Sequence, residues 1–262
     1  MVDDTGDDLT ALRREIDRID ESLHGLLMER GLIIDRLIAT KRTGASGSAF
    51  RPEREAAMMR VLAARHRGRL PVEAVEGIWR VIISTFTHVQ APFSVHADIS
   101  PGAAAMQDSA RFHFGFTIPY IPHADAHAVV RAVAGSRGDL GLVSPGAAGQ
   151  AWWRALEPEA GPKIIARLPF TNLAGHPAAR PVLVVSKAIS SEGLGAVLLH
   201  SATGLGDWGA AALAEAGIEV VARHGPDALL ATPGAVSSED VAALLGLATP
   251  VPVGSHPALA SG

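Results

Sequence analysis

Arg30 stands where an apolar residue belongs. Leu9, Leu12, Ile16, Ile19, Leu23, Leu26, Arg30, Ile33 and Leu37 follow one another at spacings that alternate between three and four. That rhythm is the seam of a long helix packed against other helices. A guanidinium taken into such a seam is costly unless an anion meets it. Two partners qualify: a glutamate on another helix, in a register-setting ion pair, or an anionic ligand in a pocket. Lys41 lies 11 residues further on, close to three full turns, and so projects from the same face. Arg13, 17 residues before Arg30, is roughly 25 Å away and about 100° round the axis. It cannot share a small ligand with Arg30 of its own chain, but in an antiparallel dimer it would reach the pocket of the partner.

Further polar residues fit the same chemistry. Gln90 ends an otherwise apolar stripe, four residues after Phe86 and eight after Ile82; it reads either as a helix-terminal polar residue or as a ligand contact. Arg54 and Glu55 follow Arg51-Pro52-Glu53, where Glu53 and Glu55 also complement the dipole of a helix start. Arg13, Arg30, Lys41 and Arg54 with Glu55 and Gln90 make a constellation suited to a small dicarboxylate.

Three helices must position these groups. The seam from Leu9 to about Thr40 predicts a first helix about 48 Å long, too long for a 92-residue segment to bury alone, so a dimer is the natural solution. Gly44-Ala45-Ser46-Gly47-Ser48 reads as a loop. A second helix is expected from Pro52, a favoured first-turn residue. A third follows Pro71, with Val75, Ile78, Trp79, Ile82 and Phe86 on one stripe.

Charge is uneven along the 262 residues. The first 92 hold 14 Lys/Arg and 14 Asp/Glu, whereas the remaining 170 hold only 9 and 13. Proline and glycine become frequent after Gln90, so a boundary falls near Ala91-Pro92. Beyond it, short apolar runs such as Val182-Leu183-Val184-Val185 between glycines and prolines predict an α/β region. The 48% apolar content excludes a disordered chain, and no apolar run approaches the length of a membrane span. A net charge of −4 argues against a nucleic-acid partner. With no cysteine there is neither a disulfide nor a thiol nucleophile. The acidic start, Met-Val-Asp-Asp, is unlike a signal peptide, and a cytoplasmic location is expected.

Residues 9–90 resemble the all-helical chorismate mutase family, in particular the N-terminal domain of bifunctional chorismate mutase/prephenate dehydratases. The matching stretches are Leu12-Arg13-Arg14-Glu15-Ile16-Asp17 with Ile19-Asp20, then Glu29-Arg30, Lys41, Arg51-Pro52-Glu53-Arg54-Glu55, and Gln90. The resemblance implies an intertwined homodimer of three-helix chains with two shared sites and no cofactor. It also implies that Arg30 and the partner chain's Arg13 bind the two carboxylates of chorismate, with Arg54 a further cationic position. Lys41 and Gln90 would hydrogen-bond the ether oxygen, and Glu55 the ring hydroxyl. The reaction implied is the rearrangement of chorismate to prephenate, an isomerase step in phenylalanine and tyrosine biosynthesis. Some relatives have an aspartate where Arg51 stands and a serine near Phe86; neither is present here.

The expected fold is thus α plus α/β: a three-helix domain over 7–91, a dehydratase-like region over 93–188 and an ACT-like region over 189–262. Phe93-Ser94-Val95-His96 is expected to open the α/β region, with Gly138 to Val143 as a later strand. Ala179-Arg180-Pro181 falls where prephenate dehydratases have Thr-Arg-Phe, so the hydroxyl that assists departure of water is replaced by alanine. Leu213 to Val221 reads as helix then strand, and Pro252 to Pro257 as the final strand. His123 and His127 have the spacing of a ligand pair if both lie on one helix, but no glutamate follows as in zinc peptidases, and no metal is expected. Trp152-Trp153 is expected in a core or interface. Gly204, Gly206 and Gly209 are spaced as G-x-G-x-x-G but lack a downstream acidic partner, so turn glycines are the expectation. The two alternatives to a mutase with a non-catalytic α/β half are a bifunctional mutase/dehydratase and a non-enzymatic regulator sensing an aromatic amino acid.

Overall fold

A computed structural model describes residues 4–41, 49–147, 150–172, 175–178, 180–187, 196–206, 208 and 210–261. The expected loop over 44–48, Ala179 and Gly209 lie outside the described residues. The chain divides into two compact units, residues 1–45 and 46–262.

The described residues of the first unit form one helix, α1 (Asp4–Lys41). Its seam leaves Leu12 57% exposed, Leu23 52% and Leu26 61%. A single chain with that much apolar side chain in water has a surface built to be covered.

The second unit opens with α2 (Pro52–Arg65) and α3 (Val72–Gln90). Pro52 begins α2 and Pro71 caps α3, both as the sequence predicts. There follow β1 (Val95–Asp98), α4 (Ala103–Phe114), β2 (Tyr120–His123), α5 (Ala126–Gly135) and β3 (Leu140–Val143). A short 3-10 turn over Trp152–Leu156 leads to β4 (Lys163–Leu168), β5 (Thr171–Asn172) and β6 (Val182–Ser186). The last part holds β7 (Val197–Thr203), α6 (Ala210–Glu215), β8 (Glu219–His224), β9 (Asp227–Pro233), α7 (Ser238–Leu245), β10 (Val251–His256) and β11 (Ala260–Ser261). Helices followed by an α/β region is the expected fold class.

The strands form a nine-stranded mixed sheet in the order β2-β1-β3-β6-β4-β10-β7-β9-β8, with β5 and β11 paired separately. β2, β1 and β3 are parallel; helices α4 and α5 make their crossovers. Central strands with both faces covered read as continuous apolar runs, and every residue of β1, β3 and β6 is buried. Gly141 in β3 is required by close approach, since a Cβ there would lie 2.6 Å from Val129 Cγ1 of α5.

α2 and α3 share their core with the sheet. Phe50, Ala56, Met59, Leu62, Val75 and Ile83 belong to one buried cluster with Val95, Phe114, Leu140, Leu168, Phe170 and Val184. Trp152 and Trp153 are each 1% exposed, core residues of a second cluster. Gly204 and Gly206 adopt φ of +83° and +58°, the turn role expected of them.

The helical reading of His123 and His127 is corrected. His123 ends β2, and Asp125 caps α5 by accepting from the Ala128 backbone N–H at 2.7 Å, so the helix begins between the two histidines. A side-chain cap overrides i, i+4 spacing because it fixes where the first turn starts.

Candidate functional site

The six candidate residues divide between the two units. Arg13, Arg30 and Lys41 lie on α1; Arg13 is exposed, Arg30 half-buried, and the side chain of Lys41 lies outside the described residues. Arg54 and Glu55 sit in the first turn of α2 and Gln90 closes α3.

Arg54 is exposed. Gln90 is half-buried, and its amide Nε2 donates to the Phe86 carbonyl at 3.2 Å, one turn back along α3. That local bond holds the amide at the helix end, and the amide carries no net charge at any ordinary pH.

Glu55 is only 4% exposed, and its Oε2 accepts from Arg80 Nη1 in an ion pair that is almost, but on the glutamate side not wholly, out of solvent. Arg80 is fully buried. Its guanidinium carbon lies 5.9 Å from the ring centroid of Phe114, at the end of α4, and 5.3 Å from that of Phe170, just after β4. One turn earlier on α3, Glu76 Oε2 accepts from Thr171 Oγ1 of β5 and meets His176 Nε2 at 3.3 Å. His176 in turn rests edge-on against Phe112, ring centroids 4.9 Å apart, and stacks with His113 at 6.3 Å. Burial foremost, then Arg80 and His176, hold the His113 imidazole well below its ordinary range, so it is neutral.

Sequence reasoning missed Arg80 and Glu76. A signal was present in Arg80 itself, a cation inside an apolar helix, as with Arg30. Glu76 and Arg80 are four residues apart, however, and that spacing reads as a solvated intrahelical pair.

A second polar row lies along the parallel strands. His96 Nδ1 meets His123 Nε2 at 2.8 Å, and His96 Nε2 meets Asp139 Oδ2 at 3.2 Å. Asp139 Oδ1 accepts from the Ser94 backbone N–H at 2.8 Å. Burial and the neighbouring His96 lower the pKa of His123, opposed by Asp125. Among the described residues no three His, Asp or Glu side chains form a group that could hold a metal ion. No described helix is long and apolar enough to cross a membrane. Arg180, which falls at the arginine of the Thr-Arg-Phe position, is exposed, and its carbonyl accepts from Ser109 Oγ at 3.2 Å.

Residues 12–91 match the family described as chorismate mutase type II. The chain is 33% identical over 141 residues to the bifunctional chorismate mutase/prephenate dehydratase of Pseudomonas aeruginosa, covering 52% of this chain and 38% of the relative. The protein of the same description from Aquifex aeolicus is 33% identical with the same coverage, and that of Neisseria gonorrhoeae 35% over 103 residues, 39% of this chain and 27% of the relative. The chain therefore spans less than two fifths of the length of these curated relatives. An alignment over 52% of the chain is longer than the helical segment, so the similarity continues into the α/β region. No solved structure matches this chain. The helical segment, residues 12–91, carries the type II chorismate mutase pattern.

Proposed function

We propose that the protein is a chorismate mutase, rearranging chorismate to prephenate, and that it works as a homodimer. The observation that carries this reading is the family match over 12–91; on this reading Arg13, Arg30, Lys41, Arg54, Glu55 and Gln90 supply the chemistry the reaction needs.

The rearrangement is unimolecular and pericyclic, so it needs no nucleophile and no proton shuttle. Carbon–oxygen cleavage runs ahead of carbon–carbon formation and leaves negative charge on the ether oxygen. Donors aimed at that oxygen, Lys41 and Gln90, stabilise the transition state more than the substrate. Arg30, Arg54 and the Arg13 of a second chain clamp the carboxylates and select the compact conformer that reacts. Glu55 takes the ring hydroxyl. The exposed seam of α1 supports the dimer, because a second copy presents the same apolar stripe.

Loss of chorismate absorbance with wild type and Arg30→Ala, followed by acid conversion of product to phenylpyruvate, tests this reading. Turnover by wild type, lost in the variant, with phenylpyruvate only after acid, is the expected result. Phenylpyruvate before acid would mean that the α/β region dehydrates prephenate, as the names of the relatives describe for them. No turnover by a folded protein would sink the mutase reading and favour a non-enzymatic regulator.

A further inference from the structure

We infer that Arg80 is a positioning residue for Glu55, and that the α/β region is the mount that holds Arg80. This inference rests on the mutase reading, in which Glu55 meets the substrate's ring hydroxyl, and assigns the α/β region a part in that site.

The geometry is that of a bracket. Arg80 Nη1 holds Oε2 of Glu55, which leaves Oε1 as the oxygen for a substrate hydroxyl. The guanidinium uses that one bond; its Nε and Nη2 have no partner among the described residues. Its central carbon instead lies over the rings of Phe114 and Phe170, 5.9 and 5.3 Å from their centroids, both contributed from beyond α3. Glu76, one turn away on the same helix face, ties α3 to the same neighbourhood through Thr171 and His176. A buried ion pair with unused donors is a poor device for stability, since an apolar pair of similar volume does as well without the desolvation cost. It is a good device for orientation, because the guanidinium is planar and its fully buried side chain is packed against two aromatic rings. The catalytic arrangement in residues 12–91 therefore depends on the side chains of Phe114, Phe170, Thr171 and His176, and the helical segment is not self-sufficient in this chain.

The test uses the full chain: steady-state chorismate turnover by wild type, Arg80→Met, Arg80→Lys, Phe170→Leu and Glu55→Gln, alone and in pairs with Glu55→Gln, with folding checked by circular dichroism. Arg80→Met is expected to lower kcat by about 10- to 100-fold with little change in KM, as for a misplaced catalytic group. Arg80→Lys restores part of that loss and Phe170→Leu shows a smaller loss. None lowers kcat further once Glu55→Gln is present, because both changes remove the same contribution. Should Arg80→Met fail to fold, Arg80→Lys and Phe170→Leu decide by the same criterion. Full kcat in every folded variant, or losses that multiply with that of Glu55→Gln, overturns the positioning role and leaves the mutase reading standing. Absence of turnover by wild type overturns both.

Discussion

Arg80 Nη1 donates to Glu55 Oε2 across α3 and α2, with the arginine side chain wholly out of solvent and that of the glutamate 6% exposed. The pair ties α3 to α2 at a point where α2 carries a candidate substrate contact. It also predicts a large single-residue stability effect.

Removing one member of a buried ion pair strands the other in low dielectric. Arg80→Ala should cost about 3–5 kcal/mol of unfolding free energy. The double change Arg80→Met/Glu55→Leu should recover most of it, since no charge is then left unpaired. Urea denaturation of the three proteins checks the order; a double variant less stable than the single one would contradict the account.

The neutrality of Gln90 predicts a mutase rate that does not fall sharply between about pH 6 and 8. Gln90→Glu should change this, because a glutamate must be protonated to donate to the ether oxygen. Its activity should therefore drop as pH rises, and a pH–rate profile of the two proteins decides. Lys41→Ala, which removes the charged donor, should lower kcat by about 100- to 1000-fold.

Stability should fall with acid below the ordinary histidine pKa of 6.5. His113 is kept neutral by burial, Arg80 and His176, so its folded pKa lies below its unfolded one. The unfolded chain then binds the proton first, which makes stability full above pH 6.5 and declining as pH drops toward the folded pKa. Each such proton contributes a slope of about 1.4 kcal/mol per pH unit. Burial lowers His200 and His256 in the same sense. Thermal melts from pH 7.5 to 5 should show the decline, with a shallower slope in His113→Leu.

Charge placed in the α1 seam should dissociate the proposed dimer. Ile19→Glu with Leu26→Glu places carboxylates in a stripe that a second copy would bury, at a desolvation cost that opposes the pairing. Sedimentation velocity is expected to give a dimer for wild type and a single chain for the variant. A variant that remains dimeric would mean that another surface holds the copies together.

Gly254→Ala should unfold the sheet locally. A Cβ at that position would lie 2.1 Å from the Ile164 carbonyl oxygen, on a backbone with φ of +150°, where β10 pairs with β4. The two strands cannot keep their pairing with that atom between them, and a loss of amide protection in β4 and β10 by hydrogen exchange is expected.

Local pattern was enough to read the chain as helices first and strands later. Pro52 and Pro71 mark helix starts because proline prefers the first turn, and the three-four rhythm from Leu9 to Leu37 is a property of one helix face; both are visible without knowing what lies opposite. The apolar runs at Leu140 to Val143 and Val182 to Val185 were legible for the same reason. His123 and His127 were misplaced because one cap at Asp125 outweighs a spacing. What tertiary structure alone decided is which polar groups meet. Glu76 and Arg80, four apart, would pair with each other on an isolated helix. In the folded chain Arg80 turns to Glu55, 25 residues away, and Glu76 to Thr171, 95 residues away. Nothing near either residue in sequence encodes that choice, because it depends on α4, β4 and β5 excluding water from one face of α3 and leaving each charge only the partners that the packing brings within reach.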